Sequence, residues 1–135
     1  MKRLFFVLLF IGIYQLAFSQ REPIHPRGVI KQDKVQEIRE KISAEPYKTW
    51  FEKIKTTTQK AEREVDFSDP YPISFLALKQ AQMHILTGDE KWAEKSYATL
   101  QKVITHKIYN DPISRGLTRA TMLFSAAMSY DFCFN

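Results

Sequence analysis

Cysteine is almost absent from the sequence, since Cys133 is the only one. A single cysteine cannot form a disulfide within the chain, and it supports neither a metal cluster nor a thiol-dependent active site. We therefore expect Cys133 to be a small residue in an apolar helix.

Glycine and histidine are also scarce, with four glycines and three histidines. The glycines are isolated, so no glycine-rich phosphate-binding loop can form, and the histidines lack the HExxH spacing of a zinc enzyme. We therefore predict no metal site, no cofactor and no complete catalytic site. His84 lies on an apolar helical face, which favours a hydrogen-bonded core histidine over a ligand or a base.

The N-terminus has the pattern of a secretory signal peptide. Lys2 and Arg3 precede an apolar run, Leu4–Leu16, and the small residues of Ala17–Ser19 follow. The run is shorter than the roughly 20 residues that a membrane-spanning helix needs. We predict cleavage after residues 1–19, a secreted or periplasmic protein, and no membrane association after cleavage.

The net charge is only modestly positive. Removing residues 1–19 takes away two basic residues and no acidic one, which lowers the formal charge from +5 to +3. Lysine and glutamate alternate along the predicted helices, which is typical of solvated helix faces. This pattern predicts no nucleic-acid partner but permits an acidic partner such as an anionic polysaccharide.

Two amphipathic helices joined by a tight turn account for Ile73–Ile104. Gly88 can adopt the left-handed conformation that ends a helix, and Asp89 can cap the next one. The first helix has one shared face, formed by Leu76, Ala77, Gln80, Ala81 and His84. The second has apolar positions at three- and four-residue steps: Trp92, Ala93, Tyr97, Leu100, Val103 and Ile104. The spacing predicts an all-α fold of antiparallel helical hairpins.

Three further helices are predicted around this hairpin. One runs from about Gln32 to near Ser43, and a second, with a strong aromatic face, has Pro46 in its first turn. Asp66–Pro72 reads as a loop because it is rich in proline, serine and aspartate. The last helix is capped by Ser114.

The last helix is apolar on nearly all sides and contains several small residues, so we expect an inner, buried helix that its neighbours approach closely. The sequence stops within an aromatic stretch, Tyr130–Asn135, whereas domain ends are normally polar. We therefore expect residues 20–135 to be the N-terminal part of a larger domain that is truncated at its C-terminus.

The most distinctive polar cluster is Ser114–Gly116 together with Arg119. An arginine at the start of a helix opposes the helix dipole, which favours a carboxylate partner or a ligand. A structural ion pair is the interpretation that the residues alone favour.

Several short motifs resemble the N-terminal part of secreted heparinase II/III-like and alginate-lyase-like polysaccharide lyases. His25–Gly28 (HPRG) and Glu45–Trp50 (EPYKTW) resemble the start of these enzymes. Leu86–Lys95 (LTGDEKWAEK) is similar to their first turn from an inner to an outer helix. Ser114–Gly116 followed by Ala126–Phe132 (AAMSYDF) resembles the next inner helix.

The resemblance implies a partial (α/α) toroid with a cleft for an acidic polysaccharide or oligosaccharide. Such lyases remove the C5 proton of a uronic acid and eliminate the 4-linked sugar. Ser129 departs from the pattern, which usually has alanine there. The catalytic residues of the family lie downstream of the matched stretch, so none is assigned here and the chain alone is expected to be inactive. Arg115 and Tyr130 are candidate substrate-binding residues of the cleft.

A non-catalytic, tetratricopeptide-like binding module in the periplasm is the alternative, because a helical hairpin fits both classes. No period of about 34 residues is present, however, and Gly88 lies one residue further from Trp92 than the usual glycine-to-tyrosine step of such repeats. The HPRG motif also has no role in those repeats.

The first prediction concerns the mature N-terminus. When the full chain is expressed in a secreting bacterium, we expect the exported protein to begin at Gln20, because signal peptidase cleaves after small residues. N-terminal sequencing and intact mass would measure this. An exported protein that keeps Met1 would contradict the prediction, and an Ala17→Phe and Ser19→Phe double variant that still matures normally would place the cleavage elsewhere.

Overall fold

The computed structural model describes residues 30–107 and 116–133. In this part of the chain there are five α-helices and no strand: α1 (Gln32–Lys41), α2 (Tyr47–Glu64), α3 (Pro70–Thr87), α4 (Glu90–Thr105) and α5 (Gly116–Cys133). The predicted all-α class is confirmed. The predicted signal peptide over residues 1–19, the HPRG motif, the predicted cap Ser114 and Arg115 lie outside the described residues.

The predicted turn between α3 and α4 is confirmed. Gly88 has a φ of 72°, and its N–H donates to the His84 carbonyl over 2.7 Å, which ends α3. The Asp89 carboxylate accepts a hydrogen bond from the Lys91 N–H at 3.0 Å and so caps α4. The turn therefore makes α3 and α4 an antiparallel hairpin.

Helix α3 begins earlier than predicted. The loop expected over Asp66–Pro72 ends at Asp69, whose carboxylate accepts a hydrogen bond from the Tyr71 N–H at 2.9 Å. Pro70 and Pro72 fit into the first turn because N–H groups there have no partner within the helix. The two prolines therefore start the helix instead of preventing it.

Helix α3 is the centre of the fold and contacts each of the other four helices. Near its start, Ile73 packs with Val103 of α4 and Met122 of α5. Near its end, Ala81 and Ile85 belong to a second cluster, which also contains Val35 and Phe132. Because α5 contacts the start of α3 with its early residues and the end of α3 with its late ones, α5 runs parallel to α3 and antiparallel to α4.

Small polar side chains fill the interfaces between these three helices. Ser74, Ser96, Ser125 and Ser129 are fully buried. The Ser96 hydroxyl of α4 donates to the Ala77 carbonyl of α3 over 2.8 Å. The predicted close approach of a neighbour to the small residues of α5 is confirmed at Ser125 and Ser129.

The outward sides of α4 and α5 differ from the predictions. Tyr97 and Ile104 were expected on the buried face of α4, but they are 65% and 40% exposed, while the smaller Ser96 and Thr99 are buried. Helix α5, which was predicted to be an inner and buried helix, is not enclosed on all sides by the described residues. Its large apolar residues in contact with solvent are Leu117, Leu123, Phe124 and Tyr130.

Helix α2 is continuous through the threonine-rich stretch Thr56–Thr58, although β-branched residues are poor helix formers. The Thr58 hydroxyl donates to the Ile54 carbonyl within the helix, at 2.9 Å. A polar cluster joins α2 to the hairpin: Glu62 accepts hydrogen bonds from Lys95 at 2.9 Å and from Gln80 at 3.0 Å. The aromatic face that starts α2 is largely exposed.

The second prediction tests the turn. Gly88→Ala should lower the free energy of unfolding by about 1–2 kcal/mol, because a side chain disfavours positive φ. The new Cβ would also lie 3.1 Å from Nη1 of Arg39. Urea unfolding followed by circular dichroism measures the change.

Gly116→Ala is the matched control, since no other described part of the chain lies within 4 Å of a Cβ at Gly116, in the first turn of α5. We expect this change to be neutral or stabilising by up to about 1 kcal/mol. Equal effects of the two substitutions would contradict the role given to Gly88.

Candidate functional site

Only one of the two predicted site residues lies in the described part of the chain. Tyr130 is on α5 and is 55% exposed. Tyr130 lines an open groove between α4 and α5. Arg115 lies outside the described residues, so the predicted pairing of Arg115 and Tyr130 in one cleft stays a prediction.

The groove between α4 and α5, which we name the apolar groove, has a volume of about 480 Å³. Helix α4 contributes Ala93, Tyr97, Leu100 and Ile104, and α5 contributes Ser129, Tyr130 and Cys133. The stripe predicted as the core face of α4 therefore forms one wall of this groove. Its apolar surface suits a packed helix or the ring face of a ligand better than an isolated charge.

Cys133 is half-buried at one end of the apolar groove. Burial raises the pKa of its thiol, a hydrogen bond with Ser96 partly offsets this rise, and the negative charge of Glu90 adds to it. The thiol is thus protonated at neutral pH and is a poor nucleophile. This supports the expectation that Cys133 has a structural role.

A second cavity lies where α1 meets the α3–α4 turn. This polar cleft, of about 180 Å³, is lined by Gln32, Val35, Arg39, His84, Ile85, Gly88 and Glu90. Nε of Arg39 donates to the Ile85 carbonyl over 2.8 Å, at the end of α3 where carbonyls lack helical partners. The guanidinium then lies against Gly88, whose missing side chain leaves room for it.

His84 forms the floor of the polar cleft and is only 4% exposed. Its Nδ1 lies 3.3 Å from the Asp89 carbonyl oxygen. Because a carbonyl only accepts hydrogen bonds, Nδ1 carries a proton, and the neutral tautomer with this proton has Nε2 as an acceptor. The prediction of a hydrogen-bonded core histidine is confirmed.

The polar cleft and the apolar groove lie at the same end of the molecule. Glu90 lines the cleft at the start of α4, and it is near enough to Cys133 in the groove to raise the pKa of that thiol. Arg39 was not predicted as a site residue, because it reaches Ile85 across 46 positions of sequence. A local spacing pattern carries no signal for such a contact.

The described ranges contain neither a group of metal ligands nor a helix that could span a membrane. Within residues 30–107 and 116–133, no three His, Cys, Asp or Glu side chains are grouped so that they could hold a metal ion. No helix in the same ranges has the length and apolar character required to cross a bilayer.

Comparison with protein families, curated proteins and solved structures finds no match to this chain.

The third prediction concerns the reactivity of Cys133. At about pH 8, the native chain should react with iodoacetamide more slowly than the chain unfolded in guanidinium chloride, because the raised pKa leaves less thiolate. Glu90→Gln should speed the native reaction, since it removes a negative charge that disfavours the thiolate. Mass spectrometry of the alkylated protein gives both rates. Native alkylation as fast as in the unfolded chain would contradict the burial of the thiol.

Proposed function

We propose that this chain is a scaffold portion of a secreted polysaccharide lyase that cleaves uronic-acid-containing glycans by β-elimination. The ligand in this proposal is an acidic polysaccharide or oligosaccharide. No catalytic residue is assigned in the chain, and we expect the chain alone to be inactive. Tyr130 and Arg115 are proposed to line the substrate cleft.

The arrangement of α3, α4 and α5 carries the proposal. Helices α3 and α5 lie parallel and side by side. Helix α4, which lies between them in the sequence, runs antiparallel to both. Stacked helix pairs build extended curved assemblies by repeating such a unit. The partial (α/α) toroid implied by the resemblance would arise from the same succession of inner helices, α3 and α5, and outer helices such as α4.

The exposed apolar surface beside α5 is consistent with further helices in such an assembly. The apolar groove lies on the α4 side of α5, and a second apolar cavity of about 370 Å³ lies between α2, α3 and α5. Exposed apolar patches of this kind mark interaction surfaces in soluble proteins. In the proposed toroid, the helix that follows α5 would pack beside α4 and cover the apolar groove.

Acidic glycans are the proposed ligands because a cation and exposed aromatic rings lie at one end of the molecule. Arg39 offers a guanidinium in the polar cleft, and planar guanidinium groups bind carboxylates in a bidentate manner. Tyr97 and Tyr130 present exposed rings in the neighbouring apolar groove. Their phenol groups combine an apolar face with a hydrogen-bonding tip.

The fourth prediction compares the 135-residue chain with the product of the complete native reading frame. On at least one of alginate, heparan sulfate and polygalacturonate, the complete product should raise the ultraviolet absorbance of an unsaturated uronate, and the chain alone should not. Dextran is the control polymer: it has no carboxylate to acidify the C5 proton, so neither protein should act on it.

Three outcomes would overturn the proposal. One is a reading frame that ends at Asn135, and another is a complete product without lyase activity on any uronate polymer. The third is binding of glycans or peptides without any elimination, which would favour the non-catalytic, tetratricopeptide-like binding module.

A further inference from the structure

We propose that the polar cleft binds a small hydroxy-carboxylate, such as a single uronic acid unit, with Arg39 holding the carboxylate. The inference rests on the geometry of the cleft. It depends on the proposed function only for the choice of a uronic acid as the first probe.

Arg39 is positioned for a ligand as well as for the fold. Its Nε donates a hydrogen bond to the Ile85 carbonyl over 2.8 Å, and this bond fixes the plane of the guanidinium. Within the described part of the chain, its two terminal amino groups donate to no acceptor. They lie above Gly88, 3.1 and 3.3 Å from where a Cβ would be. A fixed guanidinium fork with two available donors matches the two oxygens of a carboxylate.

The other groups of the cleft match hydroxyl groups. Nε2 of His84 accepts a hydrogen bond in the neutral ring, because Nδ1 donates to the Asp89 carbonyl. This ring is 4% exposed, and the described residues give Nε2 no partner. Glu90 adds a carboxylate that accepts, and Gln32 adds an amide that donates and accepts. A ligand with hydroxyl groups beside its carboxylate could satisfy all of them.

The size and the charge of the polar cleft limit the class of ligand that it can bind. The cleft, at about 180 Å³, is smaller than the roughly 300–1,000 Å³ of sites for drug-sized molecules, so it suits one small ring. Among the described residues that line the cleft, Arg39 is the only arginine or lysine, and Glu90 is an anion. A singly charged carboxylate is therefore favoured over a phosphate dianion, which Glu90 would repel.

The experiment titrates the 135-residue chain with D-glucuronate and follows the three histidine rings by NMR. We expect a Kd on the order of 1 mM, given the few atoms of the ligand. The signals of His84 should shift, and those of His106, which is outside the cleft, should not. D-glucose lacks the carboxylate and propionate lacks the hydroxyls, so each should bind at least about tenfold more weakly.

Arg39→Lys should weaken glucuronate binding about tenfold, because lysine keeps the charge but loses the fork. The matched control is Arg63→Lys, at an exposed arginine of α2 outside the cleft, which should bind like the native chain. Circular dichroism and thermal unfolding check that both variants fold. The native titration tests the inference even if Arg39→Lys unfolds.

Two results would overturn the inference: no shift of His84 at saturating glucuronate, or tighter binding of inorganic phosphate than of glucuronate. Either result, combined with lyase activity of the complete product, would leave the proposed function standing. Glucuronate binding without lyase activity would support the cleft and count against the lyase.

Discussion

Close packing of small side chains along α3 determines how the other helices are arranged. Ala77 and Ala81 on α3 face neighbours that contribute Ser96 and Ser125, and all four are at most 1% exposed. Helices can approach closely where side chains are this small, and the Ser96 hydroxyl then reaches the Ala77 carbonyl directly. Other large side chains, such as Tyr97 of α4 and Tyr130 of α5, lie outside these contacts and are exposed. The apolar groove is a consequence of this close contact.

The hairpin could be predicted from the sequence because its determinants are local. Gly88 and Asp89 end one helix and begin the next through contacts within a few residues, and the apolar spacing of α3 follows its buried face. The sequence predicts the start of α3 too late, because the prolines of Asp66–Pro72 indicate a loop, whereas Asp69 caps the helix just before Pro70. Proline and the capping aspartate are both local signals, and the hydrogen bond from the Tyr71 N–H to Asp69 shows that the helix begins there.

The sequence could not predict in the same way which face of each helix is buried by a neighbouring helix. Periodicity shows which residues share a face, but it does not show whether another helix covers that face. Tyr97 and Ile104 are therefore exposed, whereas Ser96 and Thr99, which are less apolar, are buried. Tyr130 lines the apolar groove, and its role in binding a substrate stays a prediction. The sequence carried no signal for Arg39, whose position depends on the packing of α1 against the end of α3.

Helix α1 is held to the rest of the structure by little buried surface, with Val35 as its only buried residue. Segments with few buried contacts open locally at a lower free-energy cost than the whole domain. Because Arg39 belongs to α1, each such opening takes the guanidinium away from Ile85 and dismantles the polar cleft. By mass action, any molecule held there must slow the hydrogen exchange of the α1 amides while leaving the centre of α3 unchanged. The loosely attached first helix would then report on occupancy of the cleft.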